Sequence, residues 1–331
     1  MRAIAIEKPG DESVLKLVER RDPEPQAGHV RVRVAFAGVN RADLLQRKGL
    51  YPAPPGAPPD VPGLEYAGKV DLIGAGVTSL RVGDEVFGIV SGGAYAEQLV
   101  VHEREAAKVP SGMDLRAAAA IPEAYITAYD ALVLRGGLRP GERVLIHAIG
   151  SGVGTAGLQI AKALGCHVTG TSRTRDKLVR AKELGLDEGI FVERVEGLAD
   201  ALRGAERAAT YDVVLDLVGG GYVPATLSVM CNKGRLVLVG LTAGAQANVD
   251  LGAILVKRLT IIGTVLRSRP LEEKIQAADL LRRTLAPWLS RGMIRPVVEA
   301  TFPLAQAGDA HRLVASNATF GKVLLRVTED A

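Results

Sequence analysis

At 331 residues, with 47% hydrophobic and 24% charged side chains, the sequence is that of a globular protein too long for one simple core, so two domains are expected. Its 41 Lys and Arg against 37 Asp and Glu leave a net charge of only +4, with no block of like charge, which argues against a nucleic-acid-binding surface. Two cysteines, no long apolar stretch at the N-terminus and no window of about 18 uncharged apolar residues speak against a disulfide framework, a structural zinc site, a secretory signal and a membrane span, so the expected location is the cytoplasm.

The first third of the chain reads as strands broken by turns. Val30-Arg31-Val32-Arg33-Val34-Ala35-Phe36 alternates apolar with polar residues, as a half-buried strand does. Residues 51–59 form a proline-rich loop that can be neither helix nor central strand. Residues 81–88 read as a turn entering a strand. From Arg143 the pattern changes to short apolar runs alternating with amphipathic helices. Strands are expected at Val144–Ala148, Val168–Thr171, Val213–Asp216, Leu236–Val239 and Leu259–Gly263, with helices at Val153–Leu164 and Asp176–Leu184. Such alternation means a doubly wound parallel sheet with right-handed crossovers, an α/β Rossmann architecture. After about residue 268 the chain is helical, then returns to strands.

Between the strand at 144–148 and the next helix lies Gly150-Ser151-Gly152-Val153-Gly154. A dinucleotide pyrophosphate needs a tight turn, backbone without Cβ atoms and a helix N-terminus with free N–H groups, and this segment supplies all three. A literal G-x-G-x-x-G at Gly152, Gly154 and Gly157 is set aside, because Gly157 falls well inside the helix. The end of the second strand selects the cofactor. Ser172, Arg173 and Lys177 offer a hydroxyl and cations to a 2′-phosphate, and the only acid, Asp176, is placed to cap the next helix. The residues therefore favour NADP over NAD. The competing reading makes Arg173 and Arg175 ordinary surface charges in an arginine-rich chain.

These features coincide with others along the chain: Gly38-Val39-Asn40-Arg41-Ala42-Asp43, Gly49-Leu50-Tyr51-Pro52, Pro62-Gly63-Leu64-Glu65-Tyr66-Ala67-Gly68, Ala119-Ala120-Ile121-Pro122-Glu123-Ala124, Leu266-Arg267-Ser268-Arg269 and Gly321-Lys322-Val323. Together they resemble the NADPH:quinone oxidoreductases, the zeta-crystallin-like branch of the zinc-independent medium-chain dehydrogenase/reductase superfamily. The resemblance runs essentially end to end. It departs at Ser151, where the family usually has Gly, and at Val192, where it often has a Tyr near the adenosine phosphate.

The resemblance implies a GroES-like, mostly β catalytic domain at 1–122 and 268–331 around a Rossmann dinucleotide-binding domain at 123–267. It implies NADPH as cofactor and a quinone or related electron-poor compound as substrate, held in the interdomain cleft. It places Asn40 and Tyr51 on the acceptor side, the first donating an amide N–H and the second offering a ring and a hydroxyl, and it frames the nicotinamide with Thr127, Gly240, Leu241, Leu266 and Ser268. It implies a homodimer, which the apolar last strand also suggests. Relatives with catalytic zinc carry Cys at the position of Asn40 and His at that of Leu64, so no three-ligand zinc site is expected. A quinone suits that loss, since its reduction yields an aromatic hydroquinone and needs little Lewis-acid help. The bland readings are that Asn40 satisfies a turn and Tyr51 packs on the proline-rich loop. Asp43 and His147 read as structural. The alternatives are an enone or alkenal (enoyl) reductase, or an NADPH-binding sensor or structural protein with little turnover.

Overall fold

The computed structural model describes residues 1–204 and 211–328. The chain forms two compact units, Met1–Ile126 with Leu266–Ala331, and Thr127–Val265. The sequence reading put the same two boundaries at 122/123 and 267/268. In the structure the first lies inside a helix, so no turn or composition change marks it.

The strands of the first unit among the described residues are β1 (Arg2–Ile6), β2 (Leu15–Glu19), β3 (His29–Val39), β4 (Glu65–Ile73), β5 (Glu85–Ile89), β6 (Gln98–His102) and β7 (Ala107–Lys108), with β14 (Val298–Pro303) and β15 (Lys322–Arg326) after the second unit. Those of the second are β8 (Arg143–Ile146), β9 (His167–Ser172), β10 (Glu188–Phe191), β11 (Tyr211–Asp216), β12 (Met230–Leu238) and β13 (Thr260–Gly263). The helices that matter for the sites are, in chain order, α1 (Arg41–Arg47), α2 (Leu115–Ala118), α3 (Pro122–Tyr129), α4 (Gly152–Ala163), α5 (Arg175–Lys182), α6 (Leu198–Arg203), α7 (Tyr222–Val229) and α8 (Leu251–Lys257).

The first unit is built around β3. Its alternating valines Val30, Val32 and Val34 are fully buried, and each contributes about 1.5–3 kcal/mol of burial, while Arg31 and Arg33 point the other way. The sheet runs β14-β15-β3-β4-β5-β7, with β6 also on β3, and is antiparallel except for the β14–β15 pair. The proline-rich segment forms no helix or strand.

In the second unit all six strands are parallel, in the order β10-β9-β8-β11-β12-β13. This is the doubly wound order that reverses beside its first strand, here β8, and ligands of such sheets bind at the carboxyl ends of the strands at that switch point. β13 lies at the sheet edge. His147 is fully buried: its Nδ1 lies 3.0 Å from Thr171 Oγ1 and its Nε2 2.8 Å from Thr226 Oγ1. Burial pushes its pKa down to about 4, so it is a neutral core residue. Asp43 is equally buried, accepting from the backbone N–H groups of Asn40 and Gly63 and from the Tyr95 hydroxyl, as a structural residue does. No helix among the described residues is long and apolar enough to cross a membrane.

Candidate functional sites

In the second unit, most of the residues expected to hold a dinucleotide come together at the carboxyl edge of the sheet. Gly150–Gly154 follow β8, Ser172 closes β9 and Arg173 and Lys177 follow it, while Gly240 and Leu241 follow β12. Ser151 caps α4, its Oγ accepting from Gly154 N at 3.0 Å. A Cβ on Gly154 would stand 2.5 Å from the carbonyl oxygen of Ala148, so the turn closes only around glycine. Gly157 does lie inside α4, but that is no reason to discount it. Its Cβ would stand 2.9 Å from Leu215 Cδ2 of β11, and close helix-to-strand packing is what the third glycine of such a fingerprint provides. The literal G-x-G-x-x-G set aside from sequence thus has a physical basis.

The Lys177 stem lies across the phosphate turn, where a Cβ on Gly150 would meet its Cδ at 2.6 Å. Asp176 does not cap α5: Thr174 occupies that place and Asp176 stands in the first turn, where its charge meets the positive helix end. Arg175 lies over the Phe191 ring at 4.4 Å, and Arg173 is exposed within electrostatic reach of the Tyr222 phenol. Val192 is buried and donates its N–H to Ser172 O at 2.9 Å. A helix N-terminus, room for backbone approach and a lysine laid over the turn fit a dinucleotide phosphate. Thr127 is buried on α3, also in this unit, whereas Leu266 and Ser268 belong to the first unit, Leu266 buried and Ser268 exposed.

In the first unit, Asn40 is not free. Its Nδ2 donates to Glu65 Oε1 at 2.9 Å and to Gly38 O at 3.4 Å, and its Oδ1 accepts from Lys322 Nζ at 2.6 Å. Both ends of the Asn40 amide, expected to donate an N–H on the acceptor side, are thus engaged with a buried ion pair. Lys322 spends its three hydrogens on Glu65 Oε1 at 2.6 Å, Asn40 Oδ1 and Val39 O at 3.1 Å, and both Lys322 and Glu65 are buried. The second Glu65 oxygen accepts from the Glu123 backbone N–H at 2.9 Å. A Cβ on Gly38 would sit 2.1 Å from Glu65 Oε1, so that glycine makes the space for the carboxylate.

Tyr51 is partly buried and held by Arg267. That guanidinium lies 5.1 Å from the Tyr51 ring centre and donates to Tyr51 O at 2.9 Å, to Gln46 Oε1 at 2.6 Å and to Ser91 O at 2.8 Å. Burial, opposed by the Arg267 charge, raises the Tyr51 phenol above its usual pKa, so it stays a proton-bearing donor. Glu123 lies within electrostatic reach of the same phenol.

The comparisons with known proteins agree along the whole chain. Residues 26–111 match the alcohol dehydrogenase GroES-like domain family and residues 152–283 the zinc-binding dehydrogenase family. The rat quinone oxidoreductase is 32% identical over 98% of this chain and 97% of its own length. The chain belongs to the quinone oxidoreductase family of medium-chain dehydrogenase/reductases. A crystal structure of the Escherichia coli quinone oxidoreductase, complexed with NADPH, is similar at 30% identity with a TM-score of 0.87, covering 99% of this chain and all of that one. The CurK enoyl reductase structure is similar at 26% identity with a TM-score of 0.86, covering 99% of both chains.

The two positions where zinc relatives are expected to hold Cys and His are Asn40 and a buried Leu64. Among the described residues, no three His, Cys, Asp or Glu side chains group in a way that could hold a metal ion. Three residues of this family member went unassigned in the sequence reading: Glu123, Arg267 and Lys322. Each is a charge set in or beside an apolar run, which is a signal of burial but not of partner.

Proposed function

We propose that this chain is an NADPH-dependent reductase of quinones that works without zinc. The observation that carries the reading is the closed Asn40–Lys322–Glu65 network where a metal-dependent relative would need thiolate and imidazole ligands. An acceptor that needs no Lewis acid suits such a site. Tyr51 supplies the flat face and the hydroxyl beside the acceptor, and Asn40 acts by holding the network rather than by donating to substrate. NADPH rather than NADH is supported by Ser172, Arg173 and Lys177 beside the phosphate turn, and by the NADPH carried by the E. coli relative. When bound, the cofactor supplies hydride.

A second reading, reduction of an enone or alkenal, is favoured by the likeness to the CurK enoyl reductase. An NADPH-oxidation screen across ortho-quinones, para-quinones and enones, with and without a chelator, decides between them. Turnover of quinones that survives the chelator is the expected result. Turnover of enones alone replaces the substrate class, and loss of activity on chelation rejects zinc independence.

The protein is further proposed to be a homodimer through the β13 edge. Leu251, Leu255 and Val256 of α8 are 72–77% exposed and Ile261 of β13 is 40% exposed, an apolar face next to an open strand. Light scattering at micromolar concentration should give twice 34.8 kDa, and a clean monomer rejects the idea.

A further inference from the structure

A hollow of about 250 Å³ opens on the first unit beside β14, an edge strand of the seven-stranded sheet. Its walls are Phe36 on β3, Arg326 on β15, Thr301, Phe302 and Pro303 on β14, and Arg116 on α2. Arg326 pairs in register with Phe36 on one side and with Pro303 on the other, so the three side chains share one face of the sheet. Thr301, two residues before Pro303, shares it too. Arg116 donates its Nε–H to Thr301 Oγ1 at 3.0 Å, which leaves both its terminal nitrogens unspent among the described residues. Arg326 hydrogen-bonds to none of the described residues, and no acidic side chain among them lines the hollow. A second hollow of about 250 Å³, beside Arg33, gives the contrast: Asp71 and Glu97 line it, so its positive charge is answered from within.

We infer that this hollow binds a small aromatic carboxylate, through residues that neither the cofactor reading nor the acceptor reading uses. Two guanidiniums lining one space repel each other across it, and an anion placed between them removes that repulsion. Each guanidinium presents its N–H groups in a planar fork, which fits the two oxygens of a carboxylate. The Phe36 and Pro303 rings make the rest of that face apolar, so the ligand carries a flat apolar part behind its charge. Drug-sized ligands fill pockets of roughly 300–1,000 Å³, so a space of about 250 Å³ takes a single ring. The carboxylate accepts from the terminal N–H groups of Arg116 and from Arg326, and the bond to Thr301 holds Arg116 in place beforehand. A quinone carries no such charge, so the hollow selects a different molecule from the proposed acceptor.

Fluorine NMR titration of the whole protein with 4-fluorobenzoate tests the site. Wild type should bind it with a Kd on the order of 1 mM, as befits so small a ligand. Neutral 4-fluorobenzamide, which lacks the charge, and trifluoroacetate, which lacks the ring, should each bind at least about 10-fold more weakly. Arg116→Gln and Arg326→Gln should each weaken 4-fluorobenzoate by about 5- to 10-fold, and the double variant by about 30-fold or more. Both side chains are exposed, so the variants should fold, with NADPH affinity within about 2-fold of wild type. The inference is overturned if wild type shows no binding up to about 10 mM, or if the amide or trifluoroacetate binds as well as the benzoate. It is equally overturned if the double variant keeps wild-type affinity. Should saturating NADPH then abolish that retained binding, the anion belongs to the dinucleotide turn instead.

Discussion

The two units solve opposite electrostatic problems by different means. The second prepares a place for an anion largely from backbone: a glycine turn and the N-terminus of α4, with a lysine stem laid over Gly150. The first buries an ion pair outright, Lys322 with Glu65, and strings Asn40 and the Glu123 backbone onto it. A phosphate site of backbone dipoles holds its geometry whether or not the ligand is present. A buried ion pair is sensitive to the loss of any one member, because the partner left behind keeps its desolvation cost.

The largest expected effect follows from that sensitivity. Lys322→Met leaves Glu65 charged and unpaired, and should cost about 3–5 kcal/mol in urea unfolding. Adding Glu65→Gln should recover a good part of it. A double variant no more stable than the single one breaks the contrast drawn between the units.

Next comes the proposed acceptor side of the first unit. Tyr51→Phe removes a positioned hydroxyl and should lower quinone kcat/KM by roughly 5- to 50-fold, while NADPH affinity measured by fluorescence stays within about 2-fold. Tyr51→Ala should be worse, since the ring that Arg267 holds is lost as well. Equal damage to cofactor binding would move Tyr51 out of the acceptor site.

In the second unit, with Lys177 assigned to a 2′-phosphate as proposed, Lys177→Ala should weaken NADPH by about 10-fold and leave NADH nearly unchanged. Equal losses for the two cofactors would assign Lys177 to the pyrophosphate instead.

The smallest expected effect is on pH dependence. His147 has its folded pKa depressed to about 4 from 6.5, so its stabilising contribution is fully present above about pH 6.5 and is lost as pH falls toward 4. Asp43 runs the other way: its folded pKa is raised to about 6 from 3.8, so its contribution is present below about pH 4 and is lost as pH rises through 6. Urea midpoints from pH 7 to 4 should fall less steeply in His147→Asn than in wild type. An unchanged slope shows that the ring is already charged in the fold.

The sequence by itself determined the second unit closely. Strand–helix alternation, the glycine turn after β8 and the hydroxyl and cations after β9 are local features, each set within a few residues, and the sheet order follows from short right-handed crossovers. Even its misreading of Gly157 was local, a matter of what a glycine inside a helix is for. The contacts of Asn40 and Tyr51 in the first unit could not be read that way. Lys322 meets Asn40 from 282 positions away and Arg267 meets Tyr51 from 216, so nothing near Asn40 reveals that its amide is taken. Only the pairing of β15 with β3 brings Lys322 to the end of the strand that Asn40 follows. Burial then turns scattered charges into a network, because a charge removed from water must find its partner wherever in the chain that partner lies.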